Sequence, residues 1–253
     1  MATQPIYQFS VQLLDFKPHI WRVFEVLGDT KISHLCYYMM DMFQMAGSHL
    51  FSLEVQLNHD LDEDEDDDDA WYDEDDEDDE DDWDDEDDWE EEADDWDDEE
   101  DDDWRDSEEL VFEFVDKDDP LSDHGADILS PSEYSLEKIK PNPGSIFTLT
   151  YDFGDDWRVE AELIKILANP KASNSLFPRI LSGQGYGIVE DCGGVEGLKD
   201  LVKAFKLKKG PTYKELQESL ELDDFDINNF NLDHLNESLR NCVNFMTFFY
   251  ENK

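Results

Sequence analysis

Between Asp60 and Glu109 the chain carries 39 acidic residues and one basic residue, Arg105. Such a segment cannot bury enough apolar surface to offset the entropy of ordering it, and its like charges repel. Whatever folds must be built from the residues on either side. Five tryptophans punctuate the acid (Trp71, Trp83, Trp89, Trp96 and Trp104) at intervals of 12, 6, 7 and 8 residues. Those intervals match neither a helix face nor an alternating strand. The sequence therefore predicts a disordered, acidic, tryptophan-containing insertion over 59–109. It interrupts a single domain made of 1–58 and 110–253.

The formal net charge is −51, of which −38 falls between Asp60 and Glu109 and −13 outside it. Even the foldable part lacks the basic excess of a direct nucleic-acid binder. Cys36, Cys192 and Cys242 are far apart and odd in number, so they form no disulfide framework and no C-x-x-C pair. A reducing cytoplasm is the expected compartment. Met1 to Tyr7 shows no charged segment followed by an apolar run, and no stretch approaches the ~18 apolar residues of a membrane span. A soluble cytoplasmic protein is expected.

Along the chain, Ile6 to Phe16 alternates as a half-buried strand, and Lys17-Pro18 ends it. Ile20 to Val26 reads as a second strand. Gly28-Asp29-Thr30 introduces a helix, with Asp29 or Thr30 as cap and Ile32, Leu35, Met39, Met42, Phe43 and Ala46 at helical spacing. Its methionines read as core filler. His49 to Leu57 and Leu110 to Val115 are strands, 116–131 is loop, and Ser132 caps a short helix to Ile139. Ser145 to Phe153 and Trp157 to Leu167 both have period two, and the intervening turn reads as a β-hairpin with Gly154 free to take positive φ. A polar loop then runs to Phe177-Pro178-Arg179. The glycine-rich Gly183 to Gly187 fits no phosphate-binding fingerprint. Helices are predicted over Val195–Phe205, over Tyr213–Leu220 with Thr212 as cap, and over Leu232–Asn241. An aromatic tail, Phe245 to Tyr250, can dock on the core. This order implies an α+β fold with a mostly antiparallel or mixed sheet and helices mainly on one face.

Five stretches occur in one order: Lys17-Pro18-His19-Ile20-Trp21-Arg22, Ser48-His49-Leu50-Phe51, Tyr151-Asp152-Phe153-Gly154-Asp155-Asp156-Trp157, Phe177-Pro178-Arg179 and Glu190-Asp191-Cys192-Gly193-Gly194. Together they make the chain resemble the plasmid pRiA ORF-three-like family, some members of which are labelled insertion-element passenger or TnpR-like proteins. The resemblance covers most of the chain outside the insertion. It implies a compact α+β fold, a bacterial origin often in mobile DNA, and no established reaction. Many members have histidines at the positions of Cys36 and Val159 and a Cys-Pro-Pro run where this chain has Tyr186 to Val189. The recombinase label gains no support from the residues. A serine recombinase needs a nucleophilic serine among arginines, and only Arg22, Arg105, Arg158, Arg179 and Arg240 are present.

The candidate pocket is drawn from the hairpin turn and the Glu190–Gly194 loop: His49, Tyr151, Asp155, Asp156, Trp157, Glu190, Asp191 and Cys192. Asp155 and Asp156, with Asp152, can be read as an acid pair or a hard-cation site, although adjacent carboxylates in a turn commonly serve the turn. Cys192 precedes a helix N-terminus, which favours thiolate, while Glu190 and Asp191 oppose it. No zinc-ligand spacing is present.

The leading reading is a non-enzymatic binding protein without a cofactor, whose acidic insertion engages a basic protein. Its carboxylates and tryptophans can also serve only to solubilise, can mimic nucleic acid, or can fold back onto Lys203, Lys206, Lys208 and Lys209. The alternative is a divalent-metal-dependent enzyme with Asp156, Asp191 and His49 as metal candidates.

Overall fold

The computed structural model describes residues 4–58, 109–114, 128–168 and 176–251. They belong to one compact unit assembled from Met1–His59 and Trp104–Lys253. The acidic insertion expected over 59–109 lies outside the described residues, except for Glu109, which opens a strand.

Eight strands form one sheet: β1 (Ile6–Leu13), β2 (Trp21–Leu27), β3 (Phe51–Gln56), β4 (Glu109–Glu113), β5 (Ile128–Leu129), β6 (Ile146–Tyr151), β7 (Trp157–Leu167) and β8 (Arg179–Gln184). Their spatial order is β5-β4-β3-β6-β7-β1-β2-β8. Every neighbouring pair is antiparallel except β4 and β5. The alternation read from the sequence is the alternation of burial. On β7, Trp157, Val159, Ala161 and Leu163 are buried and Arg158 and Glu162 are exposed. A period-two pattern keeps one face of a sheet in the core only if register is held, and β6 and β7 hold it from Ile146↔Glu162 to Tyr151↔Trp157. β3 pairs with β4 from Ser52↔Glu113 to Gln56↔Glu109, so the residues flanking the insertion are sheet neighbours.

The helices are α1 (Ile32–Met42), α2 (Leu136–Ile139), α3 (Gly194–Leu207), α4 (Pro211–Ser219), α5 (Leu232–Leu239) and α6 (Cys242–Tyr250). Met39, Met40 and Met42 are fully buried with Ile32, Leu35 and Phe43, so the methionine-rich face of α1 is core. α1 packs on α5 and α6, and α5 packs on β8. Among the described residues, no helix is long and apolar enough to cross a membrane.

Several local expectations are corrected. Neither Asp29 nor Thr30 caps α1; Lys31 occupies that position without a side-chain bond. Ser135, not Ser132, caps α2 by accepting from Lys138 N–H. Pro211 stands at the start of α4 behind Gly210, so Thr212 lies inside the helix. Proline suits that place because its missing N–H would have no intrahelical partner there. Ile128–Leu129, expected as loop, pairs with β4. β8 runs from the end of the expected polar loop at Arg179 into the glycine-rich run, where no strand was expected, and the C-terminal aromatic tail is helical.

Arg22 links these elements. Its side chain is fully buried on β2. Nη1 donates to the carbonyls of Trp21 and Gln184, and Nη2 to those of Met42, Gly185 and Tyr186. The guanidinium lies 5.2 Å from the Phe43 ring centre and 4.8 Å from that of Phe230. Burial lowers its pKa to about 10, which leaves it cationic at neutral pH. Five carbonyl dipoles and two ring faces thus stand in for a carboxylate. The result fixes the glycine-rich segment after β8 against the end of α1. Gly187 comes close enough to Phe43 that a Cβ would collide with its carbonyl.

Candidate functional site

Three loops meet beside the β6–β7 turn: the α1–β3 loop, the turn itself, and the segment between β8 and α3. The turn is closed by Asp156 N–H donating to the Asp152 carbonyl (2.7 Å), while Gly154 N–H donates to Asp152 Oδ1 (3.0 Å). Positive φ falls on Asp152 (54°) and Asp156 (51°), not on Gly154 as expected. A short carboxylate that bonds nearby backbone lets aspartate tolerate the left-handed region, so glycine is not required.

Glu190 joins the loops. Its Oε1 accepts from Ala46 N–H at 2.6 Å and from the Tyr151 hydroxyl at 2.9 Å. The Tyr151 oxygen in turn accepts from Ser48 N–H at 3.2 Å. Burial, with a smaller contribution from Glu190 and against the Ser48 bond, pushes the Tyr151 phenol up to about 12. It therefore stays protonated and donates. His49 lies between two carboxylates, Nδ1 3.5 Å from Asp152 Oδ2 and Nε2 3.6 Å from Glu190 Oε2. These separations are beyond ordinary hydrogen-bond length and act as ion pairs only when the imidazole is charged. The His49 ring stands edge-on to Tyr151, and its carbonyl accepts from the Tyr250 hydroxyl.

The second seam lies between the turn and the start of α3. Asp155 Oδ2 accepts from Gly193 N–H at 3.3 Å. Gly194 has φ 66°, and a Cβ there would collide with the Asp155 carbonyl, so this approach requires glycine. Cys192 is half-buried, and its thiol is pushed up to about 12 by burial first and by Asp155 next. The opposition foreseen at this cysteine thus ends on the side of the protonated thiol, which is not a nucleophile at neutral pH.

Of the sequence candidates, His49, Tyr151 and Glu190 form one contact network, and Asp155 and Cys192 form the adjoining seam. Asp156 turns instead toward Arg158, whose Nε is 3.6 Å away and which bonds Asp15. Asp191 is exposed with φ 57°. Trp157 is fully buried in the core beneath the turn. Among the described residues, no three His, Cys, Asp or Glu side chains are grouped to hold a metal ion. Of the lysines near the end of α3, Lys203 pairs with Asp200 and Lys208 with Asp224. Ala46, marked in the sequence only for helical spacing, and Ser48, marked only within a motif, join the site through backbone N–H groups that carry no residue-type signature. Sequence reasoning missed Tyr250, foreshadowed only by the aromatic tail.

The profile of the plasmid pRiA4b ORF-3-like protein family matches residues 5–234. Among solved structures, a protein of unknown function from Methanosarcina mazei Go1 aligns with a TM-score of 0.61 at 18% identity, covering 92% of this chain and 97% of that one. At that identity the likeness concerns the fold. No curated protein matches the chain.

Proposed function

The chain belongs to the plasmid pRiA4b ORF-3-like family, and from that premise we propose that it is a non-enzymatic binding protein whose acidic insertion engages a basic protein. The observation that carries this reading is the use made of the motif carboxylates. Glu190 Oε1 is taken up by Ala46 N–H and the Tyr151 hydroxyl, and Asp155 by Gly193 N–H. These are the bonds of loops being held together, and Cys192 beside them is a protonated thiol. A general acid or base needs a group within reach of a substrate proton, and Glu190 Oε1 and Asp155 Oδ2 are taken up by Ala46 N–H, the Tyr151 hydroxyl and Gly193 N–H.

The partner follows from charge. A segment with 39 carboxylates and five tryptophans offers electrostatic attraction with apolar anchors, the combination that suits a basic protein surface. It is attached through paired strand ends at Gln56 and Glu109. A cytoplasmic setting accords with three free cysteines, and a setting in mobile DNA requires no contact with DNA by this chain.

The test is calorimetric titration of the full chain with poly-L-lysine at physiological salt, beside two variants. One replaces 60–108 with a short glycine-serine linker; the other replaces the five tryptophans of the insertion with alanine. Binding is expected in the full chain, lost in the first variant and weakened about tenfold in the second. No binding by the full chain, or binding that survives replacement of 60–108, would overturn the reading.

A further inference from the structure

Leu50 and Phe153 belong to two of the five motif stretches, yet both side chains stand in solvent, 57% and 55% exposed. The backbone holds them as neighbours, because Asp152 N–H donates to the Leu50 carbonyl at 3.0 Å. Both line a cleft of about 40 Å³ together with the partly buried rings of Phe114 and Tyr250 and the carboxylate of Glu113. That volume is far below the roughly 300–1,000 Å³ of small-molecule sites, so the cleft admits one side-chain tip and not a free ligand. Its walls are fixed: Tyr250 stacks on Phe114 at 5.8 Å and donates its hydroxyl to the His49 carbonyl. A single exposed leucine needs no explanation, but two large apolar side chains grouped around a preformed cleft mark an interaction surface.

Charge decides what covers it. Glu113 lines the cleft, Asp152, Asp155 and Asp156 stand on the same turn as Phe153, and the nearby Arg158 is already paired with Asp15. A second copy would bring a formal charge of −51 against −51, and an anionic lipid surface would be repelled in the same way. We propose that this face docks a cationic segment of a partner protein. One apolar side chain of that segment lies against Leu50 and Phe153 with its tip in the cleft, and flanking lysines or arginines face Glu113 and the carboxylates of the turn. The proposal rests on the reading that the partner is basic, but not on the insertion as the arm that takes it.

The experiment is isothermal titration of the full chain with two peptides of equal charge, Lys-Lys-Leu-Phe-Lys-Lys and Lys-Lys-Gly-Gly-Lys-Lys, at about 150 mM salt where the Debye length is about 8 Å. The acidic insertion attracts both alike, so the ratio of their affinities reports the apolar contact. The first peptide is expected to bind at least tenfold tighter. Leu50→Ser and Phe153→Ser should each remove most of that preference, and both should melt with the parent because the replaced side chains are exposed. The variant without the five insertion tryptophans should keep the preference, and Phe153→Ser should leave the binding of poly-L-lysine unchanged, so that failure here and failure of the insertion reading are separable. Equal affinity for the two peptides, a preference that survives both serine variants, or one lost with the insertion tryptophans would each overturn the proposal. So would a concentration-dependent dimer of the full chain that Phe153→Ser dissociates, since the face would then belong to a second copy.

Discussion

At the scale of the residue, Glu190 illustrates how a carboxylate is consumed by architecture. Glu190→Ala removes the acceptor for Ala46 N–H and for the Tyr151 hydroxyl. Hydrogen bonds to charged groups contribute about 1.5–3 kcal/mol each and are not additive, so a loss of about 2–4 kcal/mol is expected from urea denaturation. Glu190→Gln retains an acceptor oxygen and should lose less than half as much. An unchanged midpoint in Glu190→Ala would mean that the three loops hold without this strut. The sequence marked Glu190 as part of a tight loop leading into a helix, and it is. Of its two partners, Tyr151 was a candidate from the sequence, whereas Ala46 was illegible because it acts through a backbone amide, which looks the same on every residue. Arg22 was hidden for the same reason: five carbonyls leave no trace in a sequence. At the hairpin turn, the preference of glycine for positive φ pointed to Gly154, whereas that conformation falls on Asp152, whose carboxylate accepts from Gly154 N–H, and on Asp156, whose N–H closes the turn on the Asp152 carbonyl.

At the scale of the element, α6 buries Cys242 and Met246 and is tied at its end by Tyr250. Tyr250 stacks on Tyr37 at 5.7 Å and on Phe114 at 5.8 Å, meets Phe51 edge-on at 4.9 Å, and donates its hydroxyl to the His49 carbonyl. Tyr250→Phe keeps the rings and should cost about 1 kcal/mol, whereas Tyr250→Ala should cost about 3–5 kcal/mol. Thermal denaturation of both variants separates the hydroxyl from the packing; equal losses would contradict this account of α6. Elements with clean periodicity were legible: β1, β6, β7 and α1 lie where alternation or helical spacing puts them. β8 was not, because an edge strand needs only one buried face and Arg179–Gln184 carries serine, glycine and glutamine on the rest. α6 was read only as an aromatic run because Cys242–Tyr250 is too uniformly apolar to display a helical stripe. Caps moved by one to a few residues where several serines, threonines or aspartates competed for the same end.

At the scale of the whole molecule, charge dominates. With a formal net charge of −51, self-repulsion opposes the compact state, and added salt screens it. The melting temperature of the full chain is expected to rise as sodium chloride increases from about 10 to about 300 mM. In the variant lacking 60–108 the rise should shrink, since most of the charge has gone. A full-length response no larger than that of the shortened chain would show that the segment's charge does not act on the folded unit. The Gln56↔Glu109 pairing has a further consequence. A closed excursion costs only about 0.6 kcal/mol more for each doubling of its length. Its span is therefore free to lengthen or contract over evolutionary time at little cost to the sheet. The same junction offers an engineer a splice point, where a foreign module with neighbouring termini can be carried as cargo.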